Sequence, residues 1–460
     1  MPAPTLSVLL PNYNHAEYLP KCLDEILSQS FTDFELIIID DASTDDSVDV
    51  IKDYARRDPR IRFSQNEKNA GVVVTLNRCL EKARGEFVLG AASDDYVMPK
   101  YFDAAIKLLR AHPEAALVTG EVECRTDDGR VVYRGPGMWA PEPTYLPPDL
   151  LVKRASDCGV PGPAIWRREL FLAIGGYKPE LKWHCDWFAL QVLAFRHGVC
   201  FIPLTTSIIR ATPEAYSAAG QRKADTQRPV LQRLLIELAK PEFRDVLPRI
   251  GASGVFRQFG AELVRAVAMM PDPPPEVIQP LAEVVFGHAM NLICGGEPAE
   301  RAAVLRFLPR YGREAFRFYF HVDWLTKDAD PVVRKAAAET RRAIGRTVPK
   351  RLILKERLRR TVGRRVRTAF HFFRPARKPQ PLERIETLMV RMIAISEQLG
   401  WAMHCINKHL EQLNAPMRLV DERSPEKVDA PKGTERLDMS KKTDDRKADT
   451  GAGEKRNKAA

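Results

Sequence analysis

The sequence predicts an α/β fold with a largely parallel sheet in its N-terminal half, followed by an all-helical C-terminal region. Two observations predict this class. From residue 5 to about 125, short apolar runs alternate with amphipathic segments, which is the pattern of β-α units. After about residue 220 the strand pattern ends, and residues 225–345 keep helical spacing with breaks at Pro271–Pro275 and near Gly295.

Short apolar runs predict the strands in chain order. They are apolar on both faces, as in a sheet that helices cover on each side. The runs are Leu6–Leu10, Glu35–Ile39, Ile61–Ser64, Phe87–Gly90 and Ala116–Glu121, with later strands near Ala164–Trp166 and Phe201–Pro203.

Amphipathic segments between these runs predict the helices. Tyr18–Ser28 and Val72–Ala83 each place their leucines on one helical face, and further helices begin at Arg168 and cover Asp186–Arg196. Thr126–Gly129 predicts a hairpin turn, and the Pro/Gly-rich stretch 135–148 predicts a loop.

Composition shifts divide the chain into five predicted parts. An α/β domain covers 1–220 and a helical domain covers 221–345. A basic amphipathic segment covers 346–380, because residues 350–378 hold twelve Lys and Arg against a single Glu. A helix over 381–416 has apolar spacing at 385–413 that permits a coiled coil and a homodimer. The charged tail 417–460 is predicted to be disordered.

The composition excludes several classes of protein. The 460 residues carry a formal net charge of +11, and the eight cysteines form no CxxC pair, which argues against a zinc module or a disulfide framework. The sequence shows neither a signal peptide nor a run of about 18 apolar residues. We therefore expect a cytoplasmic protein with reduced thiols.

Paired carboxylates follow two of the predicted strands. Asp40 and Asp41 come after Ile37–Ile39, and Asp94 and Asp95 come after the Val88-Leu89 strand. Each pair alone also suits a helix N-terminus that needs no chemistry. In a doubly wound sheet, however, ligands bind at the carboxyl edge of the strands. Together with the residues after the first strand, the two pairs therefore indicate one ligand site.

Five motifs follow one another along the N-terminal half of the chain. They are Ser7–Asn14, Phe34–Asp45, Asn69-Ala70-Gly71 with Asn77, Gly85-Glu86-Phe87 leading to Ser93-Asp94-Asp95, and Gly175-Gly176-Tyr177 followed by Asp186. In this order they resemble the motifs of family 2 of the nucleotide-sugar glycosyltransferases, which are inverting enzymes of the GT-A fold. The resemblance covers residues 5–217 and implies a Rossmann-like, nucleotide-diphospho-sugar transferase domain.

The resemblance implies roles for individual residues. Asp41 would hydrogen-bond the nucleotide base, Asp95 would bind the metal, and Asp186 would be the catalytic base. Arg210 lies where related enzymes carry a loop over the diphosphate, so its guanidinium could pair with a phosphate. An ordinary exposed arginine on the surface is an equally good interpretation. The nucleotide-binding set is Pro11, Asn12, Tyr13, Asn14, Asp41, Asn69, Gly71, Asp94 and Arg210.

The resemblance also implies a divalent cation, Mn²⁺ or Mg²⁺. Ser93 stands where many members have a further Asp, so the ion would rest mainly on Asp95 and the diphosphate. Such a hard cation often binds through one or two carboxylates plus substrate phosphates. It would neutralise charge on the departing nucleotide.

Asp186 begins a helix among Trp183, Trp187 and Phe188, and these neighbours can raise its pKa and make it a better base. The alternative role for Asp186 is a helix N-cap. In place of Cys185, family members often have Glu, which is a departure from the family pattern.

We expect transfer of a sugar from a nucleotide-diphosphate sugar, with UDP favoured, to a hydroxyl of a glycan or a lipid-linked acceptor in cell-envelope or polysaccharide biosynthesis.

The basic segment 350–378 suits an anionic membrane surface, which would make the protein peripheral at the inner face of the membrane. A solvated linker is the alternative for that segment. A second hypothesis is a catalytically weak, transferase-like scaffold whose basic segment binds nucleic acid or partners. No recognisable nucleic-acid module accompanies the segment, so no specific nucleic acid is expected.

Overall fold

The computed structural model describes residues 2–137, 139–155, 159–349, 352–353 and 356. All of them belong to one compact unit that spans Met1–Val366. Most of the predicted basic segment, and all of the predicted coiled coil and tail, lie outside the described residues.

Ten strands form one sheet in the described part of the chain. They are β1 (Leu6–Asn12), β2 (Phe34–Asp40), β3 (Ile61–Gln65), β4 (Phe87–Gly90), β5 (Tyr96–Val97), β6 (Leu117–Arg125), β7 (Val131–Gly135), β8 (Thr144–Leu146), β9 (Ile165–Arg167) and β10 (Val199–Arg210).

The helices of the first half lie between the strands, and those of the second half follow one another directly. They are α1 (Leu19–Leu27), α2 (Ser47–Arg57), α3 (Val72–Lys82), α4 (Tyr101–Ala111), α5 (Pro148–Arg154), α6 (Arg168–Ala173), α7 (Cys185–His197), α8 (Tyr216–Arg222), α9 (Ala224–Leu238), α10 (Leu247–Ser253), α11 (Gly260–Ala268), α12 (Pro275–Ile278), α13 (Ala282–Gly295), α14 (Pro298–Phe307), α15 (Tyr319–Leu325) and α16 (Pro331–Thr347). Short 3₁₀ helices cover Pro179–His184, Pro241–Phe243, Val255–Phe259, Gln279–Leu281 and Leu308–Phe318.

The sheet is mixed, with strand order β3-β2-β1-β4-β9-β6-β10-β5. The strands β1 to β4 pair in parallel, whereas β9 is antiparallel to both of its neighbours. β6 and β10 are parallel to each other. The predicted α/β class, with a largely parallel N-terminal part, is confirmed.

Each face of the sheet buries its own core, because successive side chains of a strand point to opposite faces. In β1, Leu6, Val8 and Leu10 pack on the face that α1 and α4 cover. Leu9 packs on the other face, in a core that continues through α7 into the helical region as far as Val348. The two cores explain why β1 and β2 are apolar at consecutive positions.

A buried polar network fixes the amino edge of the sheet. Glu35 is 3% exposed and accepts hydrogen bonds from Ser7 Oγ (2.7 Å) and Arg62 Nη1 (2.6 Å). Burial alone would raise the pKa of Glu35, but these bonds and those from Arg84 lower it below the ordinary value. At Gly85 a Cβ would lie only 2.7 Å from the backbone nitrogen of Ser7, so this position requires glycine.

β10 is longer than predicted and reaches from the core to the carboxyl edge. Its pairing with β6 shifts register between Ile202 and Thr205 and again between Thr205 and Ser207. Such irregularities bend a strand and re-aim its side chains. The second half of β10 therefore runs on past β5 to Arg210. The predicted loop 135–148 likewise contains a strand, β8, which pairs with the first half of β10.

The helical pattern predicted for 225–345 is confirmed, with its breaks between α11 and α12 and at the end of α13. Among the described residues, Pro275–Gly295 is the one helical stretch long and apolar enough to cross a membrane by length and composition, with a mean hydropathy of 1.4. Leu281, Val285 and Ile293 within this stretch are fully buried in the core. One side of the stretch thus contributes to the core of the helical region.

Candidate active site

The carboxyl ends of β1, β2 and β4 meet at one edge of the sheet. Asn12 stands opposite Asp40 in register, and β4 flanks β1 on its other side. The loops after β1 and β4 are joined directly, because His15 Nδ1 lies 2.7 Å from Ser93 Oγ. The structure therefore brings the residues after the first strand and the Asp94-Asp95 pair to the same edge, as the β-α order predicts.

Asn12 and Asp40 form the floor of this edge. Asn12 is 2% exposed, and its side-chain Nδ2 donates to Asp40 Oδ1 at 2.9 Å. Ser43 donates to Asp40 through its backbone nitrogen (2.9 Å) and its hydroxyl (2.5 Å). Within the described part of the chain, Asn12 Oδ1 is buried without a hydrogen-bond partner. This oxygen is an acceptor that the protein leaves unsatisfied at the carboxyl edge.

Tyr13 and Asn14 lie above this floor, directly after Pro11 and Asn12. Tyr13 is 44% exposed, so its ring is accessible at the edge. Asn14 has a left-handed backbone (φ 54°), which asparagine tolerates better than most residues. Its Oδ1 accepts a hydrogen bond from the backbone nitrogen of Thr44 at 2.8 Å. The turn after β1 is thereby fastened to the loop after β2.

The Asp41 carboxylate organises the loop that precedes α3. It accepts hydrogen bonds from Asn66 Nδ2 (2.7 Å) and from the backbone nitrogens of Ala70 (2.8 Å) and Gly71 (2.8 Å). Asn69 Oδ1 also accepts from Gly71 at 3.0 Å. The structure thus brings the predicted residues Asp41, Asn69 and Gly71 together in one cluster.

Sequence reasoning missed Asn66 and Arg78 in this cluster. Asn66 donates to both Asp41 and Thr75 Oγ1, and its Oδ1 accepts from Arg78 Nη1 at 2.6 Å. Neither residue belongs to a recognised motif or follows a strand end in a charged pair. Only the fold shows that Asn66 binds the Asp41 carboxylate and that Arg78 binds Asn66.

Asp94 and Asp95 have the electrostatics of a cation site. Burial and the neighbouring Asp94 charge raise the pKa of Asp95 to about 8, although the backbone N–H of Arg210 donates to it at 2.8 Å. His15 Nδ1 lies 4.0 Å from Asp94 Oδ1. A cation beside the pair would remove the repulsion between the two carboxylates.

Two carboxylates are an incomplete ligand set for an ion bound by protein alone. The described residues contain no group of three or more His, Cys, Asp or Glu side chains able to hold a metal ion. Oxygen ligands of this number fit Mg²⁺ or Mn²⁺ that takes its remaining ligands from water and phosphate. The donor set therefore fits an ion that arrives with a diphosphate.

Arg210 ends β10 beside Asp95 but directs its guanidinium to another acid. Its Nε lies 2.5 Å from Asp127 Oδ1 and its Nη2 lies 2.8 Å from Asp127 Oδ2, a bidentate pair. The guanidinium also stacks 4.2 Å from the ring centroid of Tyr18. Asp127 lies in the hairpin turn between β6 and β7, and its part in the site was not predicted from the sequence.

Asp186 is the second residue of α7. Its Oδ1 accepts a hydrogen bond from the backbone nitrogen of Trp187 at 2.6 Å, as an acid at a helix start commonly does. The side chain remains open to solvent, yet protein atoms surround it on many sides, and this burial raises its pKa above the ordinary value. Asp186 thus combines a solvent-accessible carboxylate with a raised pKa, as a general base requires.

Tyr177 connects the Asp186 region to the end of β4. Its backbone nitrogen donates to Asn77 Oδ1 (3.1 Å) and its carbonyl accepts from Asn77 Nδ2 (2.7 Å). A Cβ at Gly90 would lie 2.3 Å from the Tyr177 hydroxyl, so the phenol fills the space beside that glycine. Burial, then the charges of Cys185 and Asp186, raise the pKa of Tyr177. The turn after α6 therefore contacts β4 and lies near Asp186.

Comparisons with known proteins agree with this arrangement. Residues 7–175 match the model of glycosyl transferase family 2. An uncharacterized protein of Mycobacterium tuberculosis is 28% identical over 52% of this chain and 78% of its own length. TuaG of Bacillus subtilis, named as a teichuronic acid biosynthesis glycosyltransferase, is 39% identical over 20% of this chain and 36% of its own length.

Among solved structures, that of S. aureus TarS 1-349 in complex with UDP aligns with a TM-score of 0.45 and 18% identity, over 74% of this chain and 89% of that one. The sheet described above, with its helical C-terminal region, is a GT-A-like mixed α/β arrangement. Residues 7–175 therefore form a domain of glycosyl transferase family 2.

Proposed function

We propose that the protein transfers a sugar from a nucleoside-diphosphate sugar, with UDP as the preferred nucleotide, to a hydroxyl of a glycan or lipid-linked acceptor, with inversion at the anomeric carbon. The observation that carries this proposal is the Asp94-Asp95 pair at the carboxyl edge. The two adjacent carboxylates repel each other, Asp95 receives one backbone hydrogen bond, and a bound cation would stabilise the pair. A diphosphate that brings such a cation is the ligand that this edge suits best.

Asp95, with Asp94 beside it, would hold Mn²⁺ or Mg²⁺. When bound, the ion supplies Lewis-acid stabilisation of the charge on the leaving diphosphate. Among the chain's own groups, Asn12 Oδ1 offers an acceptor to the nucleotide and Asp41 keeps the 66–71 loop in place. Tyr13 adds an exposed aromatic ring. These groups bind and orient the donor.

Asp186 would take the proton of the acceptor hydroxyl. The hydroxyl oxygen attacks the anomeric carbon, the bond from that carbon to the diphosphate oxygen breaks, and the proton passes to the Asp186 carboxylate. A carboxylate whose pKa is raised by the protein around it is a stronger base than one with the ordinary pKa, which supports this role. A single displacement of this kind inverts the configuration of the anomeric carbon.

A role in cell-envelope polysaccharide biosynthesis is supported by the name of TuaG, a relative whose similarity covers about a third of its own length. We place the protein in the cytoplasm, peripheral at the inner face of the membrane through the basic segment 350–378, and we propose a homodimer through 385–413. The charge and spacing of those sequences support both placements.

The test is a panel of UDP-, GDP- and dTDP-sugars with and without Mn²⁺, read first as thermal shift and then as nucleotide release. Binding to the folded protein raises its melting temperature, so the true donor should do so only with the metal present. Asp95→Asn and Asp186→Asn should each lower turnover at least about 100-fold. Asp53→Asn, which changes an exposed acid of α2, is the matched control. Undiminished turnover in both site variants would refute the proposal.

A further inference from the structure

The segment that leads into Asp186 is strained. Pro179–His184 consists of two short 3₁₀ turns that meet at a kink, where Lys182 has φ 48° and ψ −120°, a conformation rarely adopted outside glycine. Such a conformation persists only when surrounding contacts hold it in place. Because Asp186 is bonded to its own first helical turn, the direction of this segment sets where the carboxylate points.

A glutamine from the helical region holds the end of this segment. Gln227 lies in α9 and is 4% exposed. Its Oε1 accepts a hydrogen bond from Trp183 Nε1 at 2.7 Å, and its Nε2 lies 3.0 Å from His184 Nε2. One amide therefore contacts the two residues that stand three and two positions before Asp186.

Both atoms of the Gln227 amide face the His184 ring. His184 Nε2 lies 3.2 Å from Gln227 Oε1 and 3.0 Å from Gln227 Nε2, so the ring nitrogen donates to the oxygen when it carries a proton and accepts from the amide nitrogen when it does not. Burial lowers the pKa of His184 to about 4, although the bond to Gln227 opposes this. The ring also packs edge-on against Phe259, at 5.1 Å between centroids. The amide has a single orientation that satisfies both side chains.

The same helix anchors the start of the segment. Glu237, ten residues after Gln227 in α9, is fully buried, and its Oε1 lies 3.5 Å from Lys178 Nζ and 2.7 Å from Lys240 Nζ. Lys178 directly follows Tyr177 of the turn near β4. Helix α9 therefore holds both ends of the stretch 178–184 that carries the strain.

We propose that Gln227 is a positioning residue for Asp186, so that α9 of the helical region sets the orientation of the base through Trp183 and His184. This inference rests on the proposed function, since it concerns the rate of the transfer step. Loss of the amide should displace the carboxylate without altering the nucleotide pocket, which β1, β2 and α3 build. The rate at saturation should fall, and the affinity for the donor should not.

The experiment compares Gln227→Met with Gln232→Met in the full chain. Gln232 lies on the same helix and donates a 2.9 Å hydrogen bond to the carbonyl of Ala266, away from the 178–184 segment. Nucleotide release from UDP-glucose, UDP-N-acetylglucosamine and GDP-mannose is measured with Mn²⁺. We expect kcat of Gln227→Met to fall about 10- to 100-fold, since small misplacements of a reacting group cost this much, with donor KM changed less than about 2-fold.

A second variant separates positioning from folding. Gln227→Glu keeps an oxygen that accepts from Trp183 Nε1 and a second oxygen that can pair with His184 once a proton stands on Nε2. It should restore kcat to within about 3-fold of the wild type, whereas Gln227→Met should not. The melting temperature of Gln227→Met should fall more than that of Gln232→Met, because Gln227 loses its contacts with both Trp183 and His184, whereas Gln232 loses one hydrogen bond.

The outcomes distinguish this inference from the function on which it rests. A wild-type protein that releases no nucleotide from any donor would overturn both. Wild-type turnover that Asp186→Asn abolishes, together with equal kcat for Gln227→Met and Gln232→Met, would overturn the inference alone. Failure of Gln227→Glu to restore kcat above that of Gln227→Met would do so as well.

Discussion

The backbone N–H of Arg210 donates a 2.8 Å hydrogen bond to the carboxylate of Asp95, which joins the last residue of β10 to the proposed metal ligand. The bent course of β10 makes this contact possible. The same residue extends its guanidinium to Asp127, so that one arginine links the hairpin turn between β6 and β7 to the carboxyl edge. Changes in the hairpin can therefore act on donor binding.

We expect Asp127→Asn to lower the donor KM about 2- to 5-fold. In the structure the Arg210 guanidinium must leave the Asp127 carboxylate before it can pair with a phosphate. The neutral amide of the Asp127→Asn variant would bind the guanidinium more weakly and release it more easily. Arg210→Gln should raise the donor KM about 10-fold if the donor binds as proposed, because it removes the proposed phosphate partner. The Asp127 side chain is 64% exposed, so its substitution should change the free energy of unfolding by less than about 1 kcal/mol. Steady-state kinetics decide the matter, and an unchanged KM in both variants would contradict it.

The acid side of the kcat profile should titrate above the ordinary aspartate value of about 3.9. As the proposed base, Asp186 would act only when ionised. Burial raises its pKa, so the rate should fall as the pH drops through that raised value. Measurement of kcat between pH 4 and 9 at saturating donor tests this. In Asp186→Asn most of the rate should be lost, and the remaining rate should no longer fall at low pH. A wild-type rate that stays constant down to pH 4 would argue against Asp186 as the base.

Stability should fall on acidification because of His184. Its pKa is about 4 in the folded protein and about 6.5 when unfolded, so the unfolded chain binds more protons between these values. The contribution is complete above about pH 6.5 and is lost progressively toward pH 4, up to roughly 3 kcal/mol. His184→Gln retains an acceptor for Gln227 but cannot titrate. Urea unfolding at a series of pH values gives the free energy of unfolding as a function of pH. This free energy should change less steeply with pH in the variant than in the wild type, and an equal pH dependence would refute the assignment.

Gly85→Ala should destabilise the protein. The added Cβ would lie within 2.8 Å of three backbone atoms, in Ser7, Leu6 and Phe87, none of which can move independently. We expect a loss of about 1–3 kcal/mol in the free energy of unfolding. Gly287→Ala is the matched control, because that glycine lies within α13 with open space around its Cβ position. There alanine should stabilise by up to about 1 kcal/mol, and equal effects of the two substitutions would contradict this reasoning.

Periodicity and strand-end chemistry predicted the α/β class and the grouping of Asp41 and Asp95 at one edge. These follow from the sequence because parallel strands must end at the same side of a sheet. The contacts of Asp127, Asn66 and Gln227 could not be predicted, since each depends on pairings between distant segments. Asp127 meets Arg210 across 83 positions of the chain, and no local pattern encodes that distance.

The length of β10 illustrates the same limit. Phe201-Ile202-Pro203 reads as a complete short strand, because Pro203 lacks a ladder donor and Thr205–Ser207 is polar. The structure continues the strand by shifting register beside Pro203, and Thr206 and Ser207 are buried. Tertiary pairing with β6 and β5 thus outweighs local propensity.

The core that runs from the sheet through α7 into the helical region limits how the α/β half and the helical half could be recombined in evolution. Phe188, two residues after Asp186, packs edge-on against Phe243 at 5.0 Å, and Trp187 lies 6.2 Å from Phe256. A lineage that exchanged the helical half for an unrelated one would expose these aromatic side chains and lose the contacts that support the proposed base, Asp186. The two halves are therefore expected to have been inherited together, with new acceptor preferences arising by substitution within the pair.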